Sequence, residues 1–131
     1  MFVDTNVFAY ALLDRGAKGD ACREFLDIIA KGKIACTSAL VLDELMWVLM
    51  KNSAAKDFSA VIANICSMPN LEVFAVSGIT AVEASKMIAE FRLKPRDAMH
   101  VAAMRENGII EIASDDKDFE RVSGIRRIKL F

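Results

Sequence analysis

Short apolar runs alternate along this chain with longer stretches in which apolar residues recur every three or four positions. Met1-Phe2-Val3 is a strand-like run stopped by Asp4, where a helix carrying the apolar residues Val7 to Leu13 begins. Ala21, Cys22, Phe25, Leu26, Ile28 and Ile29 keep helical spacing, and Gly32 is placed to end that helix. Residues 33–37 form the next buried strand, and Ser38 caps a helix to about Lys51. Helical spacing returns over 57–68 at Phe58, Val61, Ile62, Ile65 and Cys66, until Pro69-Asn70 breaks it. A strand at 71–76 follows. Thr80-Ala81-Val82-Glu83 has the capping-box pattern of a helix reaching about Phe91. Pro95 permits another helix from about Arg96 to Asn107-Gly108, and residues 109–113 and 128–131 are strand-like.

Apolar strands separated by amphipathic helices predict a parallel sheet covered on both faces, an α/β fold built as a three-layer α/β/α sandwich. With 131 residues, 54% of them hydrophobic, one domain spanning 1–131 can bury a sizeable core. In such sheets ligands bind beyond the carboxyl ends of the strands, so the chemistry is expected at one edge.

Charge narrows the choice of partner. The 17 Lys+Arg against 18 Asp+Glu give a net charge of −1, so no overall basic field draws in nucleic acid. Residues 92–131 lean positive, with nine Lys/Arg against seven Asp/Glu, a weak phosphate path whose bland alternative is a solvated mixed surface. Cys22, Cys36 and Cys66 are odd in number and lie in apolar stretches, as buried free thiols of a reducing compartment do. One histidine and no paired cysteines argue against structural zinc, and against a Ser-His-Asp triad unless His100 is its base. The apolar segment 39–50 contains Asp43 and Glu44 and is too short for a bilayer. With no leader in view, a cytoplasmic protein is expected.

Carboxylates must therefore carry the chemistry. Asp4 follows the first strand, Asp116 follows the strand at 109–113, and Asp97 lies in the first turn of a helix returning to the same edge. Glu44 is six residues beyond Ser38, about 9 Å along a helix at ~1.5 Å per residue; its length and the backward lean of helical side chains recover part of that distance. Its helical neighbours Leu40, Val41, Trp47 and Val48 are apolar, so its charge needs a partner. Asp43 is the alternative inward-facing acid. Acids gathered at one edge repel one another unless a cation holds them. Singly, Asp4, Asp97, Asp116 and Asp118 are equally well explained as caps or turn residues.

Val3-Asp4-Thr5-Asn6, Glu44 within residues 38–45, Arg96-Asp97-Ala98-Met99-His100-Val101-Ala102-Ala103 and Ser114-Asp115-Asp116-Lys117-Asp118-Phe119 together resemble the four acidic motifs of PIN-domain nucleases. The compact VapC-type toxins of toxin–antitoxin modules are the nearest match, over essentially the whole chain. Ser114 stands where that family usually has threonine, and alignment on this hydroxyl selects Asp116 as the fourth acid with Asp118 as support or substitute.

The resemblance implies an endoribonuclease using Mg²⁺ or Mn²⁺ to hydrolyse RNA, a homodimer, and a small antitoxin partner. It assigns Asp4, Asp97 and Asp116 to the metal, and Glu44 to the metal or to the attacking water. Thr5, Asn6 and Ser114 would orient these carboxylates; as turn and cap residues they are explained just as well. His100, one turn after Asp97, is expected as a hydrogen-bonded structural histidine, with a general base as the alternative. Trp47 and the methionines at 46, 50, 87, 99 and 104 lie at core spacing, with a dimer interface or antitoxin groove as the alternative for Trp47. An RNA-processing PIN nuclease and a catalytically silent binding module are the competing functions. A response-regulator receiver or a haloacid-dehalogenase phosphatase would need a further acid where Thr5 or Asn6 stands.

Overall fold

Five short strands form one parallel sheet in the computed structural model, which describes residues 1–52 and 57–131. They are β1 (Phe2–Val3), β2 (Ala35–Ser38), β3 (Leu71–Phe74), β4 (Glu111–Ala113) and β5 (Arg126–Ile128), in the spatial order β3-β2-β1-β4-β5. Every pairing is parallel, so no two neighbours can be joined by a tight hairpin and most connections are helical. Between them run α1 (Thr5–Leu13), α2 (Ala17–Ala30), α3 (Ala39–Lys51), α4 (Phe58–Cys66), α5 (Gly78–Phe91) and α6 (Pro95–Glu106). α1 packs against α2 and α3, and α5 against α6, completing the three-layer α/β/α sandwich.

The strand order makes β1 the turning point. Chain progression runs from β1 outward through β2 to β3, then returns across the sheet to β4 on the other side of β1. The segments leaving β1 and β4 therefore diverge and leave a crevice between them, the usual ligand position in a sheet of this kind. The core lies directly beneath. Phe2, Val3, Ile112 and Ala113 are fully buried, and so are Ala98, Val101, Ala102, Ala103 and Met104 of α6. Small residues on α6 let it pack closely on α5, and from Ala98 to Met104 every residue except Met99 is buried. Burial of Phe2, Phe8 and Phe119, each at most 1% exposed, contributes on the order of 1.5–3 kcal/mol apiece.

Several boundaries differ from expectation. The α5 capping box is one turn earlier: Ser77 caps the helix and Thr80, at its third position, accepts from the Ser77 N–H at 3.1 Å. Thr80 is itself buried and donates to Glu106 at 2.9 Å, so its hydroxyl serves two helices. β5 occupies 126–128 rather than 128–131, because Ala113 pairs with Ile128 and the last residues pass beyond the sheet. Phe131 instead packs edge-on against Tyr10, with ring centroids 5.6 Å apart. Ser38 precedes α3 but makes no capping bond, and its buried hydroxyl has no partner among the described residues. Cys22 and Cys36 are buried, whereas Cys66 is exposed at the end of α4. Met87 and Met104 belong to the core, but Met46, Trp47 and Met50 line an outward face of α3. Among the described residues no helix is long and apolar enough to cross a membrane.

Candidate active site

β1 and β4 end in register, Val3 opposite Ala113, and the Asp4 N–H donates to the Ala113 carbonyl at 3.1 Å. Asp4 and Ser114 thus leave the sheet side by side. Asp4 is extended at φ −80°, ψ 159° and caps α1, with one carboxylate oxygen accepting from the Thr5 N–H at 2.7 Å. The other accepts from the Ser114 hydroxyl and the Asn6 amide. Ser114 Oγ also accepts from Asn6 Nδ2 and from the Asp116 N–H, each at 3.0 Å. Thr5 and Asn6 are thus the first two residues of α1, Ser114 follows β4 directly, and all three hydrogen-bond to the Asp4 carboxylate. Burial raises the Asp4 pKa above its ordinary value, with nearby His100 opposing the shift.

Glu44 is the inward acid of α3; Asp43 is exposed. Leaning back from its helix, Glu44 accepts from the Thr5 hydroxyl, lies 3.1 Å from His100 Nε2, and pairs with Arg96 at 3.6 Å. Burial pushes its pKa up, but His100, Thr5 and Arg96 outweigh that and hold it below the ordinary carboxylate value. His100 is 1% exposed and is a hydrogen-bonded histidine as expected. Its partner, however, is Glu44 on another helix, with Nδ1 left unpartnered among the described residues.

Asp97, at the third position of α6, is the least satisfied acid. Its Oδ2 is buried without a hydrogen-bond partner among the described residues. Burial, and then the charge of Asp116, push its pKa up to about 6. Asp116 caps the 3-10 turn Lys117–Arg121, accepting from the Asp118 N–H at 2.8 Å. Asp118 pairs with Arg121 at 3.0 Å and Lys94 at 3.6 Å.

The predicted acids form two adjoining groups: Asp4, Glu44 and His100 in one, Asp97, Asp116 and Asp118 in the other. Within each group the potential ligand atoms lie within 4.8 Å of one another. Asp116 and Asp118 both reach the second group, so the choice between them becomes a pair. His100 joins the first group through Glu44, a partner 56 residues away that local spacing does not indicate. Oxygen-rich donors, two raised carboxyl pKa values and an orphaned buried oxygen on Asp97 all fit a hard divalent cation.

Acids converging at the strand ends of a parallel α/β sheet define a domain with the ligand set of a cation site there. The chain belongs to the PIN-domain family, whose model matches residues 1–125. Among solved structures it is similar to VapBC2 from Rickettsia felis bound to a promoter DNA fragment, at TM-score 0.76 and 16% identity, over 99% of this chain and 98% of that one. It is similar to VapC20 of Mycobacterium tuberculosis, a toxin that cleaves the Sarcin-Ricin loop, at TM-score 0.75 and 24% identity, over 91% and 92% of the two chains. DNA-bound VapBC from Salmonella typhimurium matches at TM-score 0.73 and 22% identity, over 99% and 97%. At these identities the likeness is one of fold. No curated protein matches the chain.

Proposed function

We propose that the protein is a metal-dependent endoribonuclease that hydrolyses phosphodiester bonds of single-stranded or structured RNA as the toxin of a toxin–antitoxin pair. The observation that carries this is Asp97: a buried, unpartnered carboxylate oxygen, crowded by Asp116, beside Asp4 in the crevice of a PIN fold. An isolated structural acid would be capped or paired. This one is held in wait for a positive charge.

Asp4, Asp97 and Asp116 would hold Mg²⁺ or Mn²⁺, with Asp118 in support; bound there, such an ion stabilises negative charge on the phosphate and lowers the pKa of water. The side chains divide the remaining work. Ser114, Asn6 and the Thr5 N–H fix the Asp4 carboxylate in one orientation. Glu44, itself held by Thr5, His100 and Arg96, keeps an ionised carboxylate at the site and orients the attacking water. Arg96 and Lys94 stand at the rim, 55% and 72% exposed, where they can meet phosphates of the strand.

The structurally similar VapBC proteins support an antitoxin partner for this chain; a homodimer and a cytoplasmic location belong to the same proposal. The test is cleavage of labelled RNA by purified protein with Mg²⁺, Mn²⁺ or excess chelator, beside Asp97→Asn. Metal-dependent cleavage that the variant loses while remaining folded is the expected result. Metal-dependent cleavage by folded Asp97→Asn would overturn the assignment, and no cleavage of any RNA by folded wild type would favour a silent binding module.

A further inference from the structure

Next to the acids is a cavity of about 390 Å³ lined by Thr5, Glu44, Trp47, Val48, Lys51 and Arg96. Two of its walls, Thr5 and Glu44, are also walls of the acidic site. Trp47, the only tryptophan of the chain, is 47% exposed. α3 buries Val41, Leu42, Leu45 and Leu49 and turns the indole away from that apolar stripe. Lys51 Nζ lies 5.8 Å from the indole centroid. A half-exposed indole with the Lys51 ammonium over its ring, and Arg96 paired with Glu44, thus share one cavity of small-ligand size, and an incoming base would take the place of Lys51 on the indole.

We propose that this cavity is a nucleobase subsite, in which Trp47 stacks a base of a single-stranded RNA next to the scissile phosphate while Lys51 and Arg96 neutralise neighbouring phosphates. The identity of the strand rests on the ribonuclease reading above. A protein with net charge −1 must hold a polyanion through local positive groups, and these two cations border the acids. Stacking tolerates any base, since every base has a π-face. The other side of Trp47 differs: there it borders a second cavity with Asp43, Met46, Met50 and Phe58, which is mostly apolar and, among the described residues, is lined by no cation. A protein partner would seat on that side, and the cations favour nucleic acid on the first.

Binding can be read without cleavage. Asp97→Asn protein in chelator is titrated into a 5′-fluorescein-labelled short 2′-O-methyl oligoadenylate and an abasic strand of equal length, following the anisotropy of the label for every variant and, where Trp47 is present, the fluorescence of that single tryptophan as well. The oligoadenylate should quench Trp47 and bind about tenfold or more tighter than the abasic strand. Trp47→Ala should remove that advantage while leaving abasic binding unchanged, and Trp47→Phe should keep part of it. Lys51→Gln should lower the salt slope of binding for both strands by roughly 0.7. Equal binding of the two strands by the parent protein overturns the subsite. So does a Trp47→Ala protein that binds both strands like its parent but sediments as a smaller species, which would assign Trp47 to a protein interface. Cleavage is scored separately in wild type: loss of base-dependent binding with cleavage intact sinks the subsite alone, whereas base-dependent binding without cleavage supports the subsite and sinks the nuclease.

Discussion

Replacing Asp97 with asparagine should abolish cleavage and, in metal-free protein, make the fold more stable. Folding carries Asp97 from an ordinary carboxylate pKa of 3.8 to about 6. A folded pKa above the unfolded one means the native state prefers the proton. The associated stability is fully present below the unfolded value and is lost as pH rises through about 6, so at neutral pH the ionised carboxylate opposes folding. The full shift corresponds to about 3 kcal/mol at ~1.36 kcal/mol per unit. Asp97 is only half-buried, so solvent screening reduces this. Its place in the first turn of α6 returns roughly 0.3–1 kcal/mol through the helix dipole, which asparagine forfeits. About 1 kcal/mol should remain in favour of Asp97→Asn, or roughly 3–5 °C in Tm for a domain of this size.

Thermal unfolding in chelator would measure this at pH 7.5 and again at pH 4, where the advantage should fall to a small remainder, because folded wild type is then protonated and only the unfolded chain still ionises in part. Adding Mn²⁺ at about 100 times its Kd should stabilise wild type by ~2.7 kcal/mol. The variant should gain much less, so the order of stability inverts. An Asp97→Asn protein no more stable than wild type in chelator at neutral pH, or one stabilised equally by Mn²⁺, would refute both the strain and its cause.

Glu44 should behave in the opposite sense. Glu44→Ala leaves His100 Nε2 and the Thr5 hydroxyl without their shared acceptor, and about 2 kcal/mol or more of stability should be lost in urea unfolding. Because the Glu44 pKa is lowered, its contribution is present above the ordinary glutamate value and lost as pH falls, so Glu44→Gln should show a shallower acid limb than wild type. Ser114→Ala removes the hydroxyl that donates to Asp4 and accepts from Asn6 and Asp116; calorimetric titration should show divalent-cation affinity reduced about 10–100-fold. Gly19→Ala separates fold from site. Its Cβ would stand 1.9 Å from the Asp14 carbonyl oxygen, costing about 1–3 kcal/mol in denaturant, while the protein that remains folded should bind cation like wild type.

The layered fold was legible because strand and helix periods are set locally: Phe2-Val3, Ile112-Ala113 and the stripe Cys22, Phe25, Ile29 all follow their own spacing into the core. That Asp4, Glu44, Asp97 and Asp116 gather near one edge was legible for a related reason: Asp4 and Asp116 follow buried strands, Asp97 opens a helix returning to that edge, and Glu44 is a charge among apolar helical neighbours. What could not be read was pairing across the sheet. His100 spacing points toward Asp97 on its own helix, and only the approach of α3 to α6 brings Glu44 to it. Trp47 follows core spacing but lies outside the stripe that α3 buries, because the helix has more apolar residues than one face can hide. Thr80 matches a capping box by pattern, yet Ser77 captures the cap, being the last extended residue before the helix.

These pairings explain why two acids of one site should respond oppositely to removal. Glu44 sits in a completed network, with a hydroxyl, an imidazole and a guanidinium around it, and deleting it strands buried donors. Asp97 has an orphaned oxygen and an acidic neighbour, and neutralising it relieves a conflict. A purely structural cluster would have no cause to leave one carboxylate in that state, since any nearby lysine or serine could satisfy it: Lys94 instead pairs with Asp118, and Ser114 with Asp4. On the function proposed above, the unsatisfied half of the site is where a cation would bind. The satisfied half marks what must stay in place when it arrives.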